Sequence, residues 1–270
     1  MVREHPGVAE NPTRFFARLA AWRALTAVGL DATVAFPSYP AQFWCPPEWR
    51  GMSKMAYTLR EHYEPELARL RDWIMPCGTV IDIGAHYGAY TIAMSALVGP
   101  EGRVFAIEPA NHALSVLRRN IEINGAHNVT VLATALGDSS ETAVLHMHGD
   151  PSRASLNQFE NGDTGCQSVA VARLDDLVQG GPVGFIKIDI EGYELPALSG
   201  ASRILSEDRP VVQFELQPGA ATRGGLPAFG VWDLLQSHGY RFRRLMLNGT
   251  YAPVLDPNDS EGPNLIALPD

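Results

Sequence analysis

Val80-Ile81-Asp82-Ile83-Gly84-Ala85-His86-Tyr87-Gly88 is the stretch on which the fold turns. Val80 to Ile83 is an apolar run broken only by Asp82 and closed by glycine, the pattern of a buried strand entering a tight turn. Residues 89–98 read as the helix that follows. The same alternation repeats outward from there. A second strand spans 103–107. A helix over 111–124 carries Leu114, Leu117 and Ile121 on one stripe, and Asn124-Gly125 stops it. A third strand covers 129–136. A fourth, over 185–190, precedes a helix over 195–205. A fifth, over 211–215, precedes a helix near 232–238, and strands at 240–245 and 264–268 close the series. Apolar strands alternating with helices predict a mostly parallel α/β sheet covered on both faces. Between the third and fourth strands, 142–147 and 168–172 alternate in the antiparallel manner, which predicts an inserted β-hairpin.

Residues 1–60 have a different texture and read as an N-terminal helical and irregular extension to a main domain over 61–270. A helix is expected from Arg14 to Leu30, with Phe15, Leu19, Trp22 and Leu25 at helical spacing. The proline-rich stretch 36–49 reads as irregular, because proline fixes φ and removes a backbone donor. Its aromatic residues Tyr39, Phe43 and Trp44 are candidates to line an acceptor pocket, with the extension covering an active site. The plainer reading is that they pack the extension onto the domain. On the first reading, removing residues 1–50 leaves cofactor binding intact and abolishes turnover.

The 270 residues are 46% hydrophobic and 19% charged, a globular balance. The formal net charge of −9 disfavours nucleic acid as a partner, since Arg241, Arg243 and Arg244 are the only dense basic cluster. Three cysteines, Cys45, Cys77 and Cys166, have no CxxC spacing, which argues against a disulfide framework or a structural zinc site and suits a reducing cytoplasm. No signal-peptide or membrane-spanning run is visible, so a cytoplasmic location is expected. The pattern leaves room for a homo-oligomer.

The turn at Gly84 and Gly88 lies where an open α/β sheet binds its ligand, at the carboxyl ends of the strands. Its spacing is GxxxG, not the GxGxxG of a dinucleotide site, and Asp82 beside it would repel a diphosphate. An acid there suits a ligand with an ammonium group, such as the methionine end of S-adenosyl-L-methionine. Glu108, ending the second strand, is placed to accept both ribose hydroxyls of a nucleoside.

The most informative segment is Phe185-Ile186-Lys187-Ile188-Asp189-Ile190-Glu191-Gly192-Tyr193-Glu194. Period two puts Lys187, Asp189 and Glu191 on one side of a buried strand. That many buried charges cost too much unless they are paired or used. With the glycine turn, Glu108-Pro109 and Ala135-Leu136-Gly137-Asp138, this string resembles the FkbM family of S-adenosylmethionine-dependent methyltransferases. The resemblance covers roughly residues 60–268. Tyr63-Glu64-Pro65 and Phe214-Glu215-Leu216 also look like family positions. Most members carry Asn where this chain has His86.

The resemblance implies a class I methyltransferase (Rossmann-like) fold of seven strands, the last one antiparallel. It implies S-adenosyl-L-methionine as cofactor and O-methylation of a small-molecule hydroxyl on a sugar, glycolipid or polyketide-type natural product. The residues implied around the cofactor are Glu64, Asp82, Gly84, Ala85, His86, Tyr87, Gly88, Glu108, Pro109, Ala135, Leu136 and Asp189. An alcohol needs a base, and Asp189 is the first candidate, because the fourth strand ends beside the cofactor sulfur in this fold. Glu215 is second, Glu191 and His86 follow, and Lys187 would orient Asp189. Ser155 resembles a family position that touches cofactor or acceptor. A magnesium ion clamped by Asp189, Glu191 and Glu215 is a second reading of the same acids, less favoured than none. His146 and His148 have metal-ligand spacing without an evident third ligand.

Two rival functions remain at this level. A nicotinamide-dependent oxidoreductase would show GxGxxG and a Tyr-x-x-x-Lys pair, and neither is present. A non-catalytic nucleoside-binding protein on the same fold would have no use for acids ending the fourth and fifth strands.

Overall fold

The computed structural model describes residues 8, 11–49, 51–149, 154–157, 164–259 and 264–270. The rest of the extension, residues 1–7, 9–10 and 50, lies outside the described residues. Helix α1 (Pro12–Ala27) begins at Asn11, whose side chain accepts a hydrogen bond from the Arg14 backbone N–H at 3.0 Å. Strands β1 (Ala32–Phe36) and β2 (Ala41–Cys45) then pair antiparallel, and α2 (Met52–Leu59) follows. The stretch 36–49 expected to be irregular therefore forms the turn and second strand of a β-hairpin as far as Cys45, and only 46–49 lack a regular element. Pro37 and Pro40 both fall in its turn, where no ladder donor is lost.

The body runs β3 (Thr79–Ile83), α3 (Ala89–Val98), β4 (Arg103–Ile107), α4 (Asn111–Ile123), β5 (Val129–Leu132), β6 (Ala135–Leu136), β7 (Glu141–Met147), β8 (Ala154–Ser155), β9 (Gly165–Ala172), α5 (Leu174–Leu177), β10 (Val183–Ile188), α6 (Glu194–Ser199), β11 (Val211–Glu215), α7 (Pro218–Arg223), α8 (Gly230–Ser237), β12 (Tyr240–Leu245), β13 (Tyr251–Val254) and β14 (Asn264–Pro269). The large sheet has the order β13-β12-β14-β11-β10-β3-β4-β5. Strands β5, β4, β3, β10 and β11 pair parallel, and β14 is antiparallel to both β11 and β12. This is the class I methyltransferase arrangement, with β13 added as an eighth strand at the edge.

Three details depart from the sequence reading. Residues 129–136 are two strands in different sheets, since β6 pairs with β9. The inserted hairpin is the centre of a four-stranded sheet ordered β6-β9-β7-β8. The helix expected over 195–205 divides into α6 and a π-helical turn at Ile204–Asp208, with Gly200 between them.

All five residues of β3 are buried, as in a strand covered on both faces. Helix α3 is apolar nearly all round because it lies between the sheet and the extension. One hydrophobic core includes Phe15, Trp22, Phe36 and Phe43 of the extension with Val80, Ile92 and Met94 of the body. The free edge of β2 is closed by side chains of α4. The Gln42 backbone N–H donates to Asn124 Oδ1 at 2.7 Å, and Asn124 Nδ2 donates back to the Gln42 carbonyl at 2.6 Å. Asn120 Oδ1 accepts from the Trp44 N–H at 2.6 Å, while its Nδ2 reaches the Tyr87 carbonyl at 2.9 Å.

Candidate active site

Strand order switches between β3 and β10, one neighbour coming from early and one from late in the chain. Ligands settle at that crevice in such sheets. A cavity of about 460 Å³ occupies it, lined at the carboxyl ends of β3, β4, β10 and β11 by Gly84, Glu108, Asp189 and Glu215.

Gly84 is where the first turn crosses the end of β10. Its φ is +75°, and a Cβ there would stand 2.0 Å from the Asp189 carbonyl oxygen, so no side chain is admissible. The turn is held by backbone donors from Gly84 and Ala85 to the Ile107 carbonyl, each at 3.0 Å. His86 adopts φ +48°, a left-handed conformation that Asn and His tolerate better than bulkier residues. Its N–H donates to Glu108 Oε2 at 2.8 Å, and its ring stacks on Tyr87 with centroids 3.9 Å apart. Glu108 Oε1 accepts from the Ala110 N–H at 2.8 Å. Each Glu108 oxygen keeps a further lone pair, and the side chain lines the cavity. Burial raises its pKa, while the Ala110 and His86 N–H groups oppose that. Ile107, Ala135 and Leu136 add an apolar wall beside it.

The opposite side is acidic. Lys187 is 6% exposed, and its Nζ donates to the Gly84 carbonyl at 3.1 Å. It stands 3.8 Å from both Asp82 Oδ1 and Asp189 Oδ2. Burial alone would lower its pKa, but the charges of Asp189, Asp82, Glu64 and Glu215 raise it overall. Asp189 is 35% exposed and faces the cavity. Glu215, on the next strand, hydrogen-bonds to Asp189 and accepts from Gln217 Nε2. Burial first, and the Asp189 charge second, push Glu215 up to about 9. The raised value favours one proton held at this pair of carboxyl groups. Glu64 faces the same space, accepts from Tyr90 Oη at 2.7 Å, and is raised to about 7 by burial and then by Asp189. Gln213 donates in turn to Tyr90 Oη at 2.8 Å.

The Lys-x-Asp-x-Glu-Gly-x-Glu string does not continue as a strand to its end. β10 stops at Ile188, and Glu191 (φ +58°) and Gly192 (φ +94°) make a left-handed turn. The cause is Glu194, whose buried Oε1 accepts from the Ile190 N–H at 3.0 Å and the Gly192 N–H at 3.2 Å. Asn157, which carried no sequence signal, ties the same turn down by donating to the Gly192 carbonyl at 3.1 Å.

Of the residues singled out from sequence, Glu64, Gly84, Ala85, His86, Glu108, Pro109, Ala135, Leu136, Ser155, Lys187, Asp189, Glu191 and Glu215 converge on this cavity. Asp82, Tyr87 and Gly88 lie outside its lining. Asp82 is fully buried behind it, accepting from Thr91 Oγ1 at 2.6 Å, and Tyr87 donates to both oxygens of Glu48. Ser155 is 2% exposed, and its hydroxyl is spent on the Glu191 carbonyl at 3.1 Å. Tyr39, Phe43 and Trp44 do not reach the cavity. Tyr39 donates to the Leu67 carbonyl, Phe43 stacks on Phe36 in the core, and Trp44 Nε1 donates to Asp31 at 2.5 Å. The extension lines the cavity instead through Gly51, Met52, Lys54 and Met55, which sequence reading passed over. His112 and Thr134 were missed likewise. Among the described residues no group of three or more His, Cys, Asp or Glu side chains is arranged to hold a metal ion. Nor is any described helix long and apolar enough to cross a membrane.

A family model described as the methyltransferase FkbM domain matches residues 82–242. A protein named Methyltransferase 1 from Beauveria bassiana is 27% identical over 143 residues, 45% of this chain and 57% of that protein. A probable cobalt-precorrin-6B C(15)-methyltransferase (decarboxylating) from Saccharolobus solfataricus is 43% identical over 53 residues, 20% of this chain and 27% of that one. The crystal structure of a methyltransferase FkbM from Methylobacillus flagellatus superposes with a TM-score of 0.46 at 20% identity, over 93% of this chain and 59% of that chain. The chain thus spans less than two thirds of the length of each of these relatives.

Proposed function

The chain belongs to the FkbM methyltransferase family, and from that premise we propose that it methylates a hydroxyl oxygen of a small molecule, with S-adenosyl-L-methionine as donor. The observation that carries the reading is the Asp189–Glu215 pair at the adjoining ends of β10 and β11, facing the cavity beside the glycine turn. Family membership leaves the nicotinamide oxidoreductase without support, and a nucleoside-binding scaffold would not need this proton-holding pair.

The residues present fit the cofactor. Glu108 offers lone pairs to the ribose hydroxyls, Ile107, Ala135 and Leu136 suit a purine face, and Glu64 and Asp189 suit the cationic end. When bound, S-adenosyl-L-methionine supplies an electrophilic methyl group. The protein's part is to align the acceptor oxygen and remove its proton. Asp189 accepts that proton. Glu215, hydrogen-bonded to Asp189, fixes its orientation. Lys187 is a positioning residue, since it spans Asp82, Asp189 and the Gly84 carbonyl. A sugar, glycolipid or polyketide-type hydroxyl is the acceptor class we propose.

An acceptor screen with methyl-labelled cofactor tests this directly. Asp189→Asn should lower turnover by about 10²–10⁴, well beyond any loss of cofactor affinity. Near-normal turnover in a folded, cofactor-binding variant would remove Asp189 from the mechanism.

A further inference from the structure

The cavity's charges are unequally shared. Among the described residues, five acids face it, Glu64, Glu108, Asp189, Glu191 and Glu215, against two lysines, Lys54 and Lys187. Lys187 is engaged by the Gly84 carbonyl, Asp82 and Asp189. Lys54 is half-buried, and among the described residues its ammonium meets no carboxylate within ion-pair distance. It stands in the first turn of α2, which has no acidic residue there. The N-cap, Gly51, contributes no side-chain cap, and Gly51 and Met52 line the same cavity. A cation at the positive end of a helix is unfavourable, and the uncapped N–H groups of that turn still need acceptors. An anion in the cavity would offset both at once.

We propose that Lys54 and the uncapped start of α2 bind the α-carboxylate of the cofactor's methionine portion, making the N-terminal extension part of the cofactor site. The inference rests on the S-adenosylmethionine reading above. That amino-acid chain presents a sulfonium and an ammonium, which the acids suit, and one carboxylate, which they repel. Among the described residues of the lining, Lys54 is the lysine that no acid engages, and it is placed to receive it. The position precedes the 82–242 segment that the family model matches, so the carboxylate contact comes from outside that segment.

Calorimetry on the full chain separates the possibilities, using S-adenosylhomocysteine and 5′-methylthioadenosine. The second ligand keeps the nucleoside and thioether but lacks the amino-acid group. Lys54→Met should weaken S-adenosylhomocysteine about tenfold, as expected for a lost charge-assisted hydrogen bond, and leave 5′-methylthioadenosine within about twofold. Lys54→Arg should restore most of the loss. Unchanged S-adenosylhomocysteine affinity in Lys54→Met overturns the proposal. Equal weakening of both ligands overturns it too, since Lys54 would then only shape the wall. A wild-type protein that binds neither ligand overturns the cofactor reading instead.

Discussion

Glu215 and Glu64 share one region with the engaged Lys187, so their protons are coupled to whatever occupies the cavity. Glu64 and Glu194 are raised to about 7 and Glu215 to about 9, burial being the leading cause in each. Between the ordinary carboxyl value of 4.5 and those values the folded chain binds more protons than the unfolded one. Stability without ligand must then fall as pH rises through that window. Thermal unfolding should show Tm declining from about pH 5 to about pH 9, with Glu215→Gln flattening the upper part of the curve. A cation beside Glu64 favours its ionised form, so S-adenosylmethionine affinity should rise as pH passes through neutrality. Calorimetry should find that slope lost in Glu64→Gln. On the other side of the cavity, Glu108→Ala should weaken cofactor binding by about 1–3 kcal/mol. It also strands the His86 and Ala110 N–H groups that Glu108 now accepts from.

Among the elements, the turn after β10 and the hairpin β1–β2 are the two whose side chains set the site without touching ligand. Glu194→Ala removes the acceptor for one buried and one partly buried N–H group and should cost about 1–3 kcal/mol, measured by urea unfolding. Because the same turn aims Asp189 and Glu191, activity should fall with it, and Glu194→Gln should recover part of both. The hairpin is held by Asn120 and Asn124 and by the stacked pair Phe36 and Phe43, both fully buried. Phe43→Ala should destabilise by about 3–5 kcal/mol, the range for deleting a buried aromatic ring. If Phe43 lined an acceptor pocket, the loss would instead appear in KM with stability little changed.

At the scale of the whole molecule, the extension and the α/β body share one core through Phe15, Trp22, Phe36 and Phe43. The extension also ties to the glycine turn, since Tyr87 donates to Glu48 at 2.7 and 2.8 Å. Removing residues 1–50 would expose several side chains worth roughly 1.5–3 kcal/mol each. That approaches the total stability of an ordinary domain. The truncated chain should therefore fail to unfold cooperatively in a thermal melt. The sequence-level expectation of intact cofactor binding gives way to this.

The succession of strands and helices, the glycine turn and the acids at strand ends were legible in the sequence, because each is a local pattern with a physical cause. Apolar runs of strand length mark buried strands, glycine marks the crowded turn at Gly84, and a charge in a buried strand must be paired or used. Asp189 and Glu108 were found on those grounds, and Glu215 through the family resemblance. What the sequence could not decide is which way a side chain faces once distant segments meet. Tyr39, Phe43 and Trp44 were candidates for a pocket, with packing as the plainer reading. Tyr39 and Phe43 are buried in the core and Trp44 lies partly buried against it, because the hairpin is covered by α4 on one side and the core on the other. Asp82 sits behind the cavity because β3 is buried on both faces, which leaves it Thr91 and Lys187 as partners. Lys54 carried no motif, and only the packing of α2 against the cavity brought its charge to the site. Local pattern determined the elements and the chemistry at their ends. Long-range packing determined which face of each element the cavity sees, because burial belongs to the assembled chain and no short window of sequence contains it.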